Sequence, residues 1–315
     1  MSDSGKAILR SLVCDPVDNL MIERLNSNRF NVTYDPAIDA ETLKEKVKDF
    51  EVLVVRSRTK VTREVIEKAE RLKVIARAGI GTDNIDVKFA AEKGIPIVTA
   101  AGSSTQSVSE LSVALAVDLA RKIPLLDRKS KGNMWKKDTG TELYGKTAGI
   151  IGFGRIGYAT AEVLKAMGLN VIAYDIYQNQ KLIEEVGGSY VSLKELLEKS
   201  DLIFVQATLT DGSSKLISED ELKYIKHGTY IVNTSRSEFI DGPALLDALK
   251  DGRVAGYAAD VLWHDPPEEE WEIEIISMDN VIVTPHIGAQ TVEAQLRVAQ
   301  YTVENLIKKR EEIGL

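Results

Sequence analysis

The sequence predicts an α/β protein of two domains, each built on a parallel sheet with helices on its faces. Three observations carry this. Short β-branched runs alternate with longer amphipathic segments along the whole chain, the pattern of parallel α/β architecture. The 315 residues are enough for two domains of ordinary size. Near mid-chain a glycine-rich turn falls between a strand pattern and a helix pattern.

In the first third, strands are predicted at 8–13, 52–56, 74–76 and 95–99. Helices are predicted at 17–25, 42–48 and 62–70. Asp39 and Thr62 stand where a side-chain oxygen can cap free backbone amides. The apolar-rich stretch 103–121 reads as a helix with few solvent-facing positions. Residues 122–143 are polar and turn-rich and read as an extended arm, whose Met134 and Trp135 need a surface to pack against. A second α/β series starts at Lys146, with strands predicted at 148–151, 171–174, 202–205, 230–233, 255–259 and 281–283. The spacing of Val292, Leu296, Val298, Val303 and Leu306 predicts a last helix over 290–309. The acidic run 268–270 reads as a loop kept only for solvation.

Composition excludes several classes. A net charge of -8 and a pI near 5.2 argue against a nucleic-acid surface, because phosphate binding needs a basic face. No apolar run approaches the roughly 20 residues that cross a bilayer. The first residues, Met1 to Lys6, lack a basic-then-apolar layout, so export is not expected. Cys14 is the single cysteine, which rules out an intrachain disulfide and reads as core packing at a strand end. A cytoplasmic protein without a metal site fits.

The sharpest motif is Gly152-Phe-Gly154-Arg-Ile-Gly157. It follows the strand pattern 147–151, opens a helix pattern at 158–167, and is followed by a strand ending in Asp175. That is the full context of a dinucleotide-binding turn on a doubly wound sheet. Gly152 permits the tight turn, Gly154 lets backbone approach a pyrophosphate, and Gly157 lets helix and sheet close up. The amides of Arg155 and Ile156 point from a helix N-terminus, where an anion is favoured. Asp175 can accept from both ribose hydroxyls. Residues 176–180 hold no arginine that could neutralise a 2′-phosphate, so NAD is expected rather than NADP.

Three histidines narrow the search for a proton carrier. His227 lies in a turn and reads as surface. His286 follows a strand's carboxyl end, the edge where open α/β sheets bind ligands. His264, beside Asp265 in a loop after another strand, is its rival. Hydride transfer from a secondary alcohol needs a base with a pKa near neutrality. It also needs a cation for the substrate carboxylate, and Arg236 in Asn233-Thr-Ser-Arg236 again follows a strand. Asp265 is the candidate carboxylate that could fix the histidine's tautomer.

The turn and this trio resemble the D-isomer-specific 2-hydroxyacid dehydrogenase family, and within it the phosphoglycerate dehydrogenase branch. The resemblance covers nearly the whole chain. It rests also on Val55-Arg-Ser-Arg-Thr-Lys-Val-Thr62, Ala76-Arg-Ala-Gly-Ile-Gly-Thr-Asp-Asn-Ile-Asp86, Gly140-Thr-Glu-Leu-Tyr-Gly-Lys146 and Thr284-Pro-His-Ile-Gly-Ala289. It implies a larger Rossmann-like NAD domain, 102–287, inserted into a smaller flavodoxin-like substrate domain, 1–101 with 288–315, that closes on it. It implies that Arg236 is the catalytic arginine, His286 the acid–base histidine and Asp265 the assisting acid. It places the Ala78 and Gly79 amides on the substrate carboxylate, Asp260 on the nicotinamide amide, and Thr234 and Gly288 near the cofactor. Arg56, Ser57 and Arg77 match the phosphate-binding positions, with Arg58 and Lys60 adding charge. The implied reaction is NAD-dependent oxidation of a small D-2-hydroxy acid, 3-phospho-D-glycerate first, as in serine biosynthesis. A glyoxylate or hydroxypyruvate reductase is the alternative, and an NAD-sensing binding protein on the same scaffold a distant one. A homodimer through the helix and arm at 103–143 is expected.

Four departures stand out. Asp265 is one methylene shorter than the usual glutamate. Ser237 replaces a glycine, at a cost of about 1 kcal/mol if the position needs positive φ. Gln206-Ala-Thr208 stands where a histidine and then a proline are common. The chain ends soon after the last helix, so no C-terminal regulatory domain like that of longer members is expected.

Overall fold

The computed structural model describes residues 8–209 and 214–315. In chain order the elements are β1 (Leu9–Val13), α1 (Asn19–Ser27), β2 (Phe30–Tyr34), α2 (Ala40–Lys46), β3 (Val52–Val55), α3 (Arg63–Lys68), β4 (Val74–Arg77), α4 (Val87–Glu92), β5 (Ile97–Thr99), α5 (Thr105–Arg121) and α6 (Ile123–Lys131). There follow β6 (Thr147–Ile151), α7 (Arg155–Ala166), β7 (Asn170–Tyr174), α8 (Gln180–Glu185), β8 (Ser189–Tyr190), α9 (Leu193–Lys199), β9 (Leu202–Val205), α10 (Glu219–Leu222) and β10 (Thr229–Asn233). The chain finishes with α11 (Gly242–Lys250), β11 (Val254–Ala259), α12 (Glu270–Ser277), β12 (Val281–Val283) and α13 (Val292–Glu312). It divides into two compact units, Met1–Ser104 with Gln290–Leu315, and Thr105–Ala289. Among the described residues no helix is long and apolar enough to cross a membrane.

The first unit carries a five-stranded parallel sheet in the order β2-β1-β3-β4-β5. Every residue of β3 is buried, as expected of a strand covered on both faces. Leu53 and Val55 point to one core with Leu43, Val65, Ile66 and Phe89. Val52 and Val54 point to the other, with Met21, Leu25, Val298, Val303 and Leu306. The last helix of the chain therefore completes a sheet begun at residue 9.

The second unit carries a seven-stranded parallel sheet, β12-β11-β10-β9-β6-β7-β8. Its order reverses between β6 and β9, and ligands bind at the carboxyl edge of such a switch point. Ile150, Phe204 and Val232 pack with Leu115 and Leu119 of α5 on one face. Ile203, Val205 and Ile231 pack with Leu196, Leu245 and Leu249 on the other.

Several expectations need correction. The arm is not extended throughout: α6 occupies 123–131, and the irregular part begins after it. Met134 and Trp135 find no cover among the described residues, at 56% and 80% exposure. The acidic run is the start of a helix, since Glu269 is the N-cap of α12 and Glu270 its first residue. α7 starts at Arg155, earlier than its apolar spacing suggested. Asp39 does cap α2, accepting from the Thr42 amide at 2.9 Å, whereas Thr62 holds the cap position of α3 without a side-chain bond. Cys14 is fully buried, and burial pushes its thiol well above the ordinary range, so it is an unreactive core residue.

Candidate active site

In the first unit the chemistry gathers at the carboxyl ends of β3 and β4. These strands pair in register with Val55 opposite Arg77, so Arg56 and Arg77 leave the sheet from neighbouring strands. The loop after β3 is built around Asp15, which is 1% exposed just beyond β1. Its carboxylate accepts from the Arg56 amide at 2.5 Å, the Thr59 amide at 3.3 Å and the Thr59 hydroxyl at 2.7 Å. It also pairs with Arg58 Nε at 3.1 Å. A buried carboxylate is tolerable only with such partners. Asn84 closes the loop from the other side, donating to the carbonyls of Arg56 at 2.9 Å and Thr59 at 2.6 Å.

This arrangement sorts the arginines. Arg58 turns inward, donating to the carbonyls of Cys14 at 2.6 Å, Pro36 at 2.9 Å and Ile38 at 3.0 Å. It ties this loop to the end of β1 and to the stretch before α2. The half-buried Arg56 guanidinium makes no hydrogen bond or ion pair among the described residues. Burial lowers its pKa, and nearby Asp15 partly offsets this. Ser57 is exposed beside it.

The amides expected to cradle a carboxylate are already engaged. Ala78 N donates to Val55 O and Gly79 N to Arg77 O, both at 2.8 Å. The next two amides, Ile80 and Gly81, have no acceptor among the described residues. Gly79 has φ +153°, and the Arg77 guanidinium lies across it, with Nη1 1.4 Å from where a Cβ would sit.

In the second unit the glycine turn leaves β6. Gly152 has φ +92°, and a Cβ there would lie 2.4 Å from the Ala207 backbone. A Cβ on Gly157 would lie 2.4 Å from Gly152 O, so helix and turn touch there. At Gly154 nothing lies within 4 Å of that position. Beside this open face the Arg155 and Ile156 amides, in the first turn of α7, have no acceptor. Such a concavity at a helix N-terminus fits a pyrophosphate. Asp175 steadies the turn, accepting from Phe153 N at 2.7 Å and Tyr177 N at 2.9 Å, and each oxygen keeps a lone pair for a ribose hydroxyl. The residues present thus fit NAD.

Behind the turn lies a polar cluster that sequence reading missed. Gln206 Nε2 donates to Ser112 Oγ at 3.1 Å and Thr160 Oγ1 at 2.9 Å, and Ser112 meets Thr234 Oγ1 at 2.8 Å. It ties α5, α7 and the ends of β9 and β10 together.

Arg236 follows β10, half-buried, with Nη1 donating to Ser235 O at 2.7 Å. Asn233 Nδ2 holds the Arg236 carbonyl at 2.9 Å. Ser237 is not among the positive-φ residues, so no backbone cost applies. Its buried hydroxyl instead donates to Leu262 O at 3.0 Å, joining the loop after β10 to the loop after β11.

His286 sits in the turn after β12 with φ +55°, a conformation costing a non-glycine residue about 1–2 kcal/mol. Asp260, 2% exposed, offsets the strain by clamping the turn. Its Oδ1 accepts from Thr284 Oγ1 at 2.6 Å and Ile287 N at 2.7 Å, and its Oδ2 from Gly288 N at 2.7 Å. Asp260 thus faces the histidine's own turn, a role that the nicotinamide contact did not suggest. Asp265 is exposed and makes no bond to His286. His264 pairs instead with Glu272, Nδ1 to Oε2 at 2.8 Å. His227 lies exposed in the turn before β10.

A family model for the NAD-binding domain of D-isomer specific 2-hydroxyacid dehydrogenases matches residues 113–288. The chain belongs to the D-isomer-specific 2-hydroxyacid dehydrogenase family. It is 43% identical over 305 residues to a D-3-phosphoglycerate dehydrogenase of Methanocaldococcus jannaschii, covering 96% of this chain and 57% of that one. It is 40% identical over 300 residues to a hydroxypyruvate reductase of Thermotoga maritima, covering 94% and 97%. Its fold matches a crystal structure of D-lactate dehydrogenase from Aquifex aeolicus, complexed with NAD and lactic acid, with a TM-score of 0.86, 28% identity and 97% and 96% coverage. The chain spans 57% of the length of the phosphoglycerate dehydrogenases of Archaeoglobus fulgidus and M. jannaschii.

For a member of this dehydrogenase family, the residues that sequence reading missed are those that shape rather than react. Asp15 and Asn84 meet the loop after β3 only through strand pairing and a return of the chain, so their local sequence does not show what they hold. The Ile80 and Gly81 amides differ from their neighbours only in hydrogen-bond accounting.

Proposed function

We propose that this protein oxidises D-2-hydroxy acids with NAD, and that its substrate is 3-phospho-D-glycerate, the entry reaction of serine biosynthesis. The observation that carries the choice of substrate is Arg56. A half-buried guanidinium without an acceptor is suited to a phosphate, which it can grip with two parallel bonds. Arg77 and Ser57 are assigned to the same group. The carboxylate-binding amides are Ile80 and Gly81, two residues beyond the pair first expected.

Arg236 holds the carboxylate and polarises the C2 oxygen. His286, neutral, takes the C2 hydroxyl proton, and Asp265 steadies the imidazolium through a bridging water. Gly154, the Arg155 and Ile156 amides, Asp175, Thr234 and the turn of Gly288 hold the cofactor. NAD, when bound, supplies the hydride acceptor. A cytoplasmic setting accords with the acidic chain and its single buried cysteine.

A panel of 3-phosphoglycerate, glycerate, lactate and their 2-oxo acids, assayed with NAD and NADP, tests the reading. Arg56→Ala is expected to cost about 10- to 100-fold in kcat/KM for 3-phosphoglycerate and to leave glycerate oxidation nearly unchanged. Equal losses on both substrates would remove the phosphate role. A glyoxylate or hydroxypyruvate reductase is the second reading, favoured by the T. maritima relative that this chain matches over 97% of its length.

We also assign a homodimer to the α5–α6 segment and the arm after it. Ile123, Met134 and Trp135 are exposed there at 46%, 56% and 80%, and a charge at their centre should be fatal to association. Trp135→Glu is expected to run as a monomer in light scattering where the parent runs as a dimer.

A further inference from the structure

The loop after β11 carries Asp265, yet Asp265 itself is bonded to nothing among the described residues. Its position is set by what holds its neighbours. Leu262 O receives the Ser237 hydroxyl at 3.0 Å. Trp263 donates Nε1 to Ile240 O at 3.1 Å and packs edge-on against Trp271, centroids 4.9 Å apart. The strongest tie is Glu272 on α12, only 1% exposed. Its Oε1 accepts the His264 amide at 2.9 Å. Its Oε2 accepts His264 Nδ1 at 2.8 Å and the Glu268 and Glu269 amides at 3.1 Å each.

A capping box at the start of α12 would need only the Glu269 amide. The two bonds to His264 exceed that need, and they reach the residue directly before Asp265. With Glu268 and Glu269 bonded to the same carboxylate, both ends of the segment around Asp265 converge on one buried group. The Glu272 carboxylate also holds the His264 imidazole above its ordinary pKa, with lesser help from Glu268 and Glu269.

We propose that Glu272 and His264 are positioning residues for Asp265, the buried carboxylate and the imidazole it grips setting where the assisting acid stands on its loop. This rests on the reading of Asp265 as that acid. The pair touches neither substrate nor cofactor and acts only through Asp265. It offers a reason why a shortened acid can serve here, since loss of reach is countered by loss of freedom.

The test uses the full chain with NAD and its best 2-hydroxy acid. Glu272→Gln and His264→Gln should each lower kcat about tenfold, as small displacements of a reacting group do, while KM and calorimetric NAD affinity stay near wild type. His264 is 43% exposed at its side chain, so its variant reports even if Glu272→Gln does not fold. Combined with Asp265→Asn, either change should add little further loss, because groups acting in series are not additive. Normal kcat in Asp265→Asn overturns the reading of Asp265 and this proposal with it. A loss in Asp265→Asn beside normal kcat in His264→Gln overturns the proposal alone, as does a double variant whose losses multiply.

Discussion

Alanine at His286 is expected to lower kcat about 100-fold or more, the usual contribution of a positioned acid–base group. The imidazole stands exposed on a turn past β12 that Asp260 holds from below with three hydrogen bonds. Removing the ring leaves that clamp intact, so the fold and the cofactor site should survive. Initial rates followed at the NADH absorbance band, beside a calorimetric NAD titration, separate the effects. Low turnover with unchanged NAD affinity supports proton transfer by His286. Near-normal turnover would take the histidine out of the chemistry.

The glycine turn offers the second large effect, and two neighbouring positions give opposite signatures. Gly152→Ala would place a Cβ 2.4 Å from the Ala207 backbone at φ +92°. Neither turn nor strand end can yield without disturbing the sheet. Destabilisation on the order of 2–5 kcal/mol is expected, from the positive φ and the overpacking together, seen as a lowered Tm. Gly154→Ala meets nothing within 4 Å, so its Tm should match wild type. Its methyl group intrudes where the pyrophosphate would rest, and NAD affinity should fall about tenfold or more. Unaltered affinity in a folded Gly154→Ala would refute the placement of the cofactor on this turn.

The strands with a continuous apolar signal were legible because both faces are buried. β3, with all four residues inside, is the clearest case. β2 was missed because it is an edge strand where only Phe30 is buried, so its pattern is nearly polar. The last helix was found through apolar spacing that is only partly core, since Val292 and Leu296 are exposed at 74% and 41% while Ala294, Ala299 and Thr302 fill the buried positions. At the site, the candidates for proton transfer were readable because their type is rare, with three histidines in the chain and His286 alone directly past a strand's carboxyl end. Their supports were not. Glu272 reads locally as one more acidic residue at a helix start, and only the fold brings it under His264.

The placement of α13 governs how the chain can be made. Val298, Val303 and Leu306 cover a sheet face whose other residues come from the first hundred positions. Roughly 190 residues separate β5 from α13, on the order of 10–40 s of synthesis at a ribosome. During that interval the middle of the chain can reach its native form while Val74, Ala76 and Val98, on the β4 and β5 side of that face, stay bare. A stop codon or proteolytic nick just before Thr291 should therefore leave an intact cofactor unit tethered to a sticky, chaperone-seeking N-terminal sheet.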